Sequence, residues 1–275
     1  MEQQGQTQAT VQTHIQSGQP NQKYSAVRNL NNADKGTAEL NPVLEKIHTM
    51  MHIQNRLNTN SYDSAWIERG RTEEFDYAMA AGDEAHEFAR SLPFQWWRND
   101  KPDFQNQVTE LVDAWHFVMS QLIIDMNGNV GLAILEAFRM YEDAQITRSE
   151  PTIQKQTKLF VAALYSHNTR FQIECSYVKA FFLLCAKASV SIHLLSARYL
   201  GKSVLNRFRV ENGYKEGTYH KIWTLGSEKG EDNYFLSQWI DGRLANGEPA
   251  PDEVVIHEFL TKTYSEFLES TSPAK

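Results

Sequence analysis

Two pairs of acids, each spaced three residues apart within an apolar helical pattern, limit what this 275-residue chain can fold into. The first pair is Glu84 and Glu87, in Tyr77-Ala-Met-Ala-Ala-Gly-Asp-Glu-Ala-His-Glu-Phe-Ala-Arg90. The second is Glu110 and Asp113, in Val108-Thr-Glu-Leu-Val-Asp-Ala-Trp-His-Phe117. Positions i and i+3 project from one side of a helix, so each pair offers two carboxylates to one point. Met79 and Phe88 flank the first pair, and Leu111, Val112, Trp115 and Phe117 the second, so each helix is expected to be at least partly buried. The connection, with Pro93 and Pro102, is long enough to turn the second helix back onto the first. Four carboxylates would then meet in one pocket. Like charges gathered in a packed site require a counter-charge, and hard oxygen ligands suit Mg²⁺ or Mn²⁺. Either pair taken alone is more often an amphipathic helix with its acids in water. Two pairs on hairpin partners shift the balance toward a site.

The rest of the chain supports a helical setting for those pairs. Asn41-Pro42 reads as a helix start, and Leu44, Ile47, Met51, Gln54 and Asn58 fall on one stripe. Gln54 and Asn58 are polar where the stripe calls for apolar residues. A buried amide must be hydrogen-bonded, so they tie down a loop or meet a ligand. Thr72 is expected to cap the helix carrying the first pair, with Glu73 and Glu74 favouring its N-terminal dipole. Asp103 after Pro102 caps the next, which stops at Asn127-Gly128. Helices follow over Val130 to Arg148 and from Pro151 to Ser166. Arg170 to Tyr199, apolar nearly all round, reads as one central buried helix, and Pro251 to Leu268 as a final amphipathic one. Few stretches alternate with period two. The expected fold is all-α, a helical bundle with antiparallel helices carrying the acid pairs.

Residues 1–38 are rich in Gln, Thr, Asn and Gly and are expected to form a flexible polar extension ahead of one domain over 39–275. The net charge of −7 argues against non-specific binding to a nucleic-acid polymer. Cys175 and Cys185, ten residues apart on an expected helix, stand about 15 Å apart, too far for a bridge. Charges at Lys179, Lys187, His193 and Arg198 break the most apolar run, so no membrane span or membrane partner is expected. With no leader seen, the expected location is cytoplasmic.

A second constellation lies in Tyr199-Leu-Gly-Lys-Ser-Val-Leu-Asn-Arg-Phe-Arg209 and the turn that follows. Lys202, Asn206 and Arg209 share one helical stripe, and Tyr214 and Lys215 come just after Asn212-Gly213. Such a stripe beside a glycine-flanked turn suits an oxygen-rich anion such as a polyphosphate, although a solvated basic face has the same pattern. Acids on one wall and cations on the other would hold a nucleotide's phosphates between them.

From about Leu44 to Trp239 the chain resembles the dimeric all-α dUTPases of the all-α NTP pyrophosphohydrolases. Its ExxE pair (Glu84, Glu87), ExxD pair (Glu110, Asp113), Asn206-Arg-Phe-Arg209, Asn212-Gly-Tyr-Lys-Glu-Gly-Thr-Tyr219 and Glu231-Asp-Asn233 carry the resemblance. Gln54 and Asn58, the Trp96-Trp97 doublet and His116-Phe117 fit as well. The resemblance implies a Mg²⁺-dependent catalytic domain, with Mn²⁺ able to substitute, that cleaves dUTP and dUDP to dUMP by water attack at the β-phosphorus. It implies a homodimer and a deoxyuridine nucleotide as substrate. It assigns Glu84, Glu87, Glu110 and Asp113 to metal and catalysis, and Lys202, Asn206, Arg209, Tyr214 and Lys215 to the phosphates. Gln54, Asn58, Trp96, His116 and Phe117 would meet base or sugar. A dCTP-preferring or dual-specificity relative remains open, since an amide can turn either its donor or its acceptor to a base. A non-enzymatic helical interaction protein is a more distant alternative. A di-iron site would need Glu-x-x-His twice on the paired helices; Asp113 and His116 have that spacing, but the first pair has Glu at both positions.

Overall fold

Asn41 caps the first helix through its side chain, which accepts from Val43 N at 2.9 Å, and Pro42 takes the first helical position. The computed structural model describes residues 41–62, 65–97, 99, 101–166 and 175–271, so the extension over 1–38 and the start of the run at Arg170 lie outside the described residues. Ten helices and one hairpin follow in order: α1 (Pro42–Tyr62), α2 (Trp66–Arg71), α3 (Tyr77–Arg90), α4 (Phe104–Asp125), α5 (Val130–Ile146), α6 (Ile153–Ser166), α7 (Ser176–Lys187), α8 (Ile192–Glu211), β1 (Ile222–Leu225), β2 (Glu228–Glu231), α9 (Asp232–Ala245) and α10 (Glu253–Thr271). The fold is all-α apart from that hairpin.

The bundle forms around α4, which buries most of its length and packs on α1, α2, α3, α5, α7 and α8. Trp115 lies at its centre, fully buried and stacked on Phe181 of α7 at 4.9 Å. Asp103 caps α4 by accepting from Asn106 N at 3.1 Å. The α3–α4 loop closes where Asp103 N and Gln107 Nε2 both donate to the Ser91 carbonyl, so α4 turns back along α3 as expected. A smaller second core joins Val204, Leu205 and Phe208 of α8 to Trp223 on β1, Leu236 and Ile240 on α9, and Ile256 and Leu260 on α10. Across the cores, Arg198 of α8 forks onto Asp241 of α9 at 2.7 and 2.8 Å, and both contact Gln105 in the first turn of α4.

Three expectations are corrected. Thr72 closes α2 instead of opening α3, its hydroxyl donating to the Glu68 and Arg69 carbonyls. The chain then passes through Glu73 at φ 58°, and Asp76 caps α3 by accepting from Met79 N. The apolar run up to Tyr199 is two helices, α7 and α8, bent by 103° at a turn where Ser189 has φ 61° and Ser191 caps the second. The central element is accordingly α4. The hairpin was not expected: Ile222–Leu225 pairs antiparallel with Glu228–Glu231 through Gly226-Ser227, with Gly226 at φ 61°. No single described helix is long and apolar enough to cross a membrane. Cys175 and Cys185 are free and buried.

Candidate active site

A cleft of about 550 Å³ opens between the first turns of α4, the acid face of α3, the middle of α8 and the hairpin. Glu84, Glu87, Glu110 and Asp113 line it, together with Lys202 and Arg209. The hairpin and the start of α9 complete it with Lys221, Lys229, Asn233 and Tyr234. Carboxylate oxygens of Glu84, Glu87 and Glu110 lie within 4.8 Å of one another. Asp113 stands beside this trio and is paired with Lys202 Nζ at 2.8 Å. Three of the four acids therefore converge closely, and the fourth reaches across to the cationic wall.

That crowding shifts their ionisation. Burial, then the negative charges of Asp113, Glu110 and Glu87, push Glu84 up to about 8. Burial, Asp113 and Glu87 push Glu110 up to about 7, and a hydrogen bond from Glu84 partly offsets this. A proton held between two glutamates is a substitute for a missing positive charge. The donors are all carboxylate oxygens, close enough to share one ion, and they fit a hard divalent cation such as Mg²⁺ or Mn²⁺. Glu87, with 47% of its side chain exposed, contacts Arg90 only at 3.8 Å.

The cationic wall is held differently. Arg209 of α8 donates from Nε and Nη2 to the two carboxylate oxygens of Asp232, at 2.8 and 2.6 Å. Asp232 is fully buried and also accepts from the Tyr219 hydroxyl at 2.8 Å. The turn before the hairpin needs Gly213, which has φ 90° and would place a Cβ 2.0 Å from Thr218 Oγ1. Asn206 is exposed and accepts from Arg209 Nη1 at 3.4 Å, while Tyr214 and Lys215, also exposed, are not among the lining residues. Tyr214 supports the wall through its ring, which lies 5.5 Å from Lys221 Nζ. Lys221, Lys229 and Tyr234 are site residues that sequence reasoning missed. The signal available was the aromatic, β-branched run at Trp223 ending in Gly226-Ser227.

Behind Asp113, one turn further along α4, His116 belongs to a buried polar network. Its Nδ1 meets Gln54 Oε1 at 2.7 Å, and Tyr199 donates to the same oxygen at 3.0 Å. Gln54 and Asn58 both donate to Ser120 Oγ, at 3.1 and 2.9 Å. The two amides therefore tie α1 to α4 and α8. Burial pushes the His116 ring down to about 4. Phe117 packs 6.4 Å from Tyr77. Trp96 and Trp97 are 88% and 61% exposed in the α3–α4 loop, in contact with each other and outside the cleft lining.

A helical bundle whose cleft sets clustered carboxylates against lysine and arginine has the form of a hydrolase acting on nucleotide phosphates. A family model described as dUTPase matches residues 46–214, from α1 to the turn after α8. The match covers well over half of the chain, which belongs to this family and is an all-α dUTP-hydrolysing enzyme. A search of curated proteins finds no match.

Proposed function

We propose that the cleft binds the phosphate chain of dUTP between the acid cluster and the Lys202–Arg209 wall, and releases dUMP and pyrophosphate with Mg²⁺ bound by Glu84, Glu87 and Glu110. The observation that carries this reading is the meeting of three carboxylates within 4.8 Å in the same cleft as those two cations. When bound, the cation neutralises phosphate oxygens and acidifies water. The chain's own groups position the reactants. Lys202 and Arg209 contact the phosphate oxygens, with Lys221 and Lys229 continuing that wall along the hairpin. A glutamate of the cluster orients the attacking water and accepts its proton. Water adds to the β-phosphorus, the bond from that phosphorus to the α–β bridging oxygen breaks, and dUMP leaves with that oxygen. The same chemistry on dUDP gives dUMP and phosphate.

We place the base against the network of Gln54, Asn58 and His116. In support, His116 lies one helical turn beyond Asp113 and senses the charges of Asp113 and Lys202. Product analysis from dUTP, dUDP, dCTP and dTTP, with and without chelator, tests the whole reading. Pyrophosphate from dUTP that vanishes with chelator is expected. Turnover indifferent to chelator, or a tenfold preference for dCTP, contradicts it.

A further inference from the structure

We propose that His48 and His52 form a two-imidazole clamp on the outer flank of α1 for a borderline divalent cation that favours tetragonal coordination, Cu²⁺ first and Ni²⁺ second. The site lies apart from the acid cleft and does not depend on the function proposed above.

The helix itself sets up the pair. Ile47, Met50, Met51 and Gln54 turn into the bundle, which leaves positions 48 and 52 at the edge of the buried face, with both residues exposed. Residues four apart on a helix are neighbours on its surface. The two rings lie 4.4 Å apart between centroids and are tilted by 55°, so they are not a parallel stack. Neither ring has a hydrogen bond or ion pair to another described residue, so no group of the fold competes for their nitrogens.

The spacing of the rings selects the ion. An imidazole nitrogen binds such cations at about 2.0–2.1 Å, which puts each ring centre about 3.2 Å from the ion. Two nitrogens at a right angle then separate the centres by about 4.5 Å, and nitrogens at the tetrahedral angle by about 5.2 Å. The observed spacing meets the right-angled case, the one that Cu²⁺ and Ni²⁺ take in square-planar or tetragonal sites. Burial, then the charge of His48, hold the His52 ring below its ordinary value of 6.5. A ring that sheds its proton readily offers a lone pair to a metal.

Among the described residues, the acid trio is the only group of three or more His, Cys, Asp or Glu side chains placed to share an ion. The clamp therefore has two protein ligands, and water completes the coordination. Its grip comes from chelation: once one imidazole binds, the helix presents the second at high local concentration. An ion held there cross-links the turn of α1 just before Gln54, and neither histidine lines the cleft.

The experiment titrates the full chain with Cu²⁺, in excess Mg²⁺ and a buffer that does not coordinate metal, by calorimetry and electron paramagnetic resonance. Wild type, His48→Ala, His52→Ala and the double variant are compared, with melting curves on each. The wild type should bind one equivalent whose spectrum shows two imidazole nitrogens. Either single variant should hold that equivalent at least about tenfold more weakly, and the double variant should lose it. Saturating this equivalent should raise the melting temperature of the wild type and not of the double variant. Ni²⁺ should bind more weakly than Cu²⁺ and more tightly than Zn²⁺. Equal Cu²⁺ affinity in the wild type and the double variant, a one-nitrogen spectrum, or Zn²⁺ binding more tightly than Cu²⁺ overturns the proposal. Should an alanine variant fail to fold, His48→Gln and His52→Gln decide in its place.

Discussion

On one wall of the cleft, carboxylate oxygens of Glu84, Glu87 and Glu110 gather within 4.8 Å, and burial and mutual repulsion push Glu84 and Glu110 above the usual carboxylate range. On the other, Arg209 is forked onto Asp232, and Lys202 reaches Asp113 at 2.8 Å. Lys202 and Arg209 are paired with carboxylates within the fold, whereas the three crowded glutamates are not matched by a cation at that distance. Groups paired inside the protein are held rigid before substrate arrives, and their spare hydrogens can be aimed. Groups crowded without a partner store repulsion that an incoming cation relieves. Substitutions on the two walls should therefore have opposite consequences for stability, although both impair turnover.

The largest effect belongs to the paired wall. Asp232→Ala leaves the Arg209 fork, only 11% exposed, without its carboxylate and should destabilise the protein by about 3–5 kcal/mol in a urea titration. A loss under about 1 kcal/mol would show that water replaces the pair without penalty. Next in size, Glu110→Gln should lower kcat/KM for dUTP by at least about a hundredfold with little loss of stability, because it removes charge from the transition state and repulsion from the fold. Arg209→Lys, which keeps the charge but loses the fork, should fall between wild type and Arg209→Ala in both kcat/KM and melting temperature.

How much of this contrast could be read in advance differs between the walls. The acid pairs were legible because i, i+3 spacing is local, and the Asp103 cap and the two prolines already imply the helical hairpin. Lys202 and Arg209 were legible as one stripe of α8 for the same reason. The carboxylate opposite Arg209 was not, since Asp232 is 23 residues away and meets it only after the hairpin folds. Likewise the α7–α8 break carries no glycine or proline to announce it, and Ser189 adopts φ 61° because packing on both sides requires the turn. Thr72 and Asp76 both satisfy the rules for a helix cap, and tertiary contacts select the second. The exposure of Trp96 was illegible too, as a sequence shows that a ring is apolar but not what covers it.

The smallest effect is a pH dependence that separates the walls by sign. In chelator, Glu84 and Glu110 hold protons up to about 8 and about 7 in the folded state, against an ordinary glutamate value of 4.5. Folded protein then binds more protons than unfolded, and stability falls as pH rises from 4.5 through 8. His116, lowered from 6.5 to about 4, works oppositely, and its contribution to stability grows with pH across that range. Above pH 6.5 only the acid slope remains. Melting temperature in chelator should decline between pH 6.5 and 8, and Glu84→Gln or excess Mg²⁺ should flatten the decline. A slope that neither one changes would place its source elsewhere.

The most direct measurement of the central claim is a set of four melting curves, wild type and Glu84→Gln, each in chelator and in excess Mg²⁺. If the acid wall is crowded for want of a cation, Glu84→Gln melts at or above the wild type in chelator. Mg²⁺ then stabilises the wild type by about 2.7 kcal/mol at a hundredfold excess over Kd, and the variant loses most of that gain. If Glu84→Gln melts well below the wild type in chelator, and Mg²⁺ shifts neither protein, the acids are structural and the account of the cleft fails.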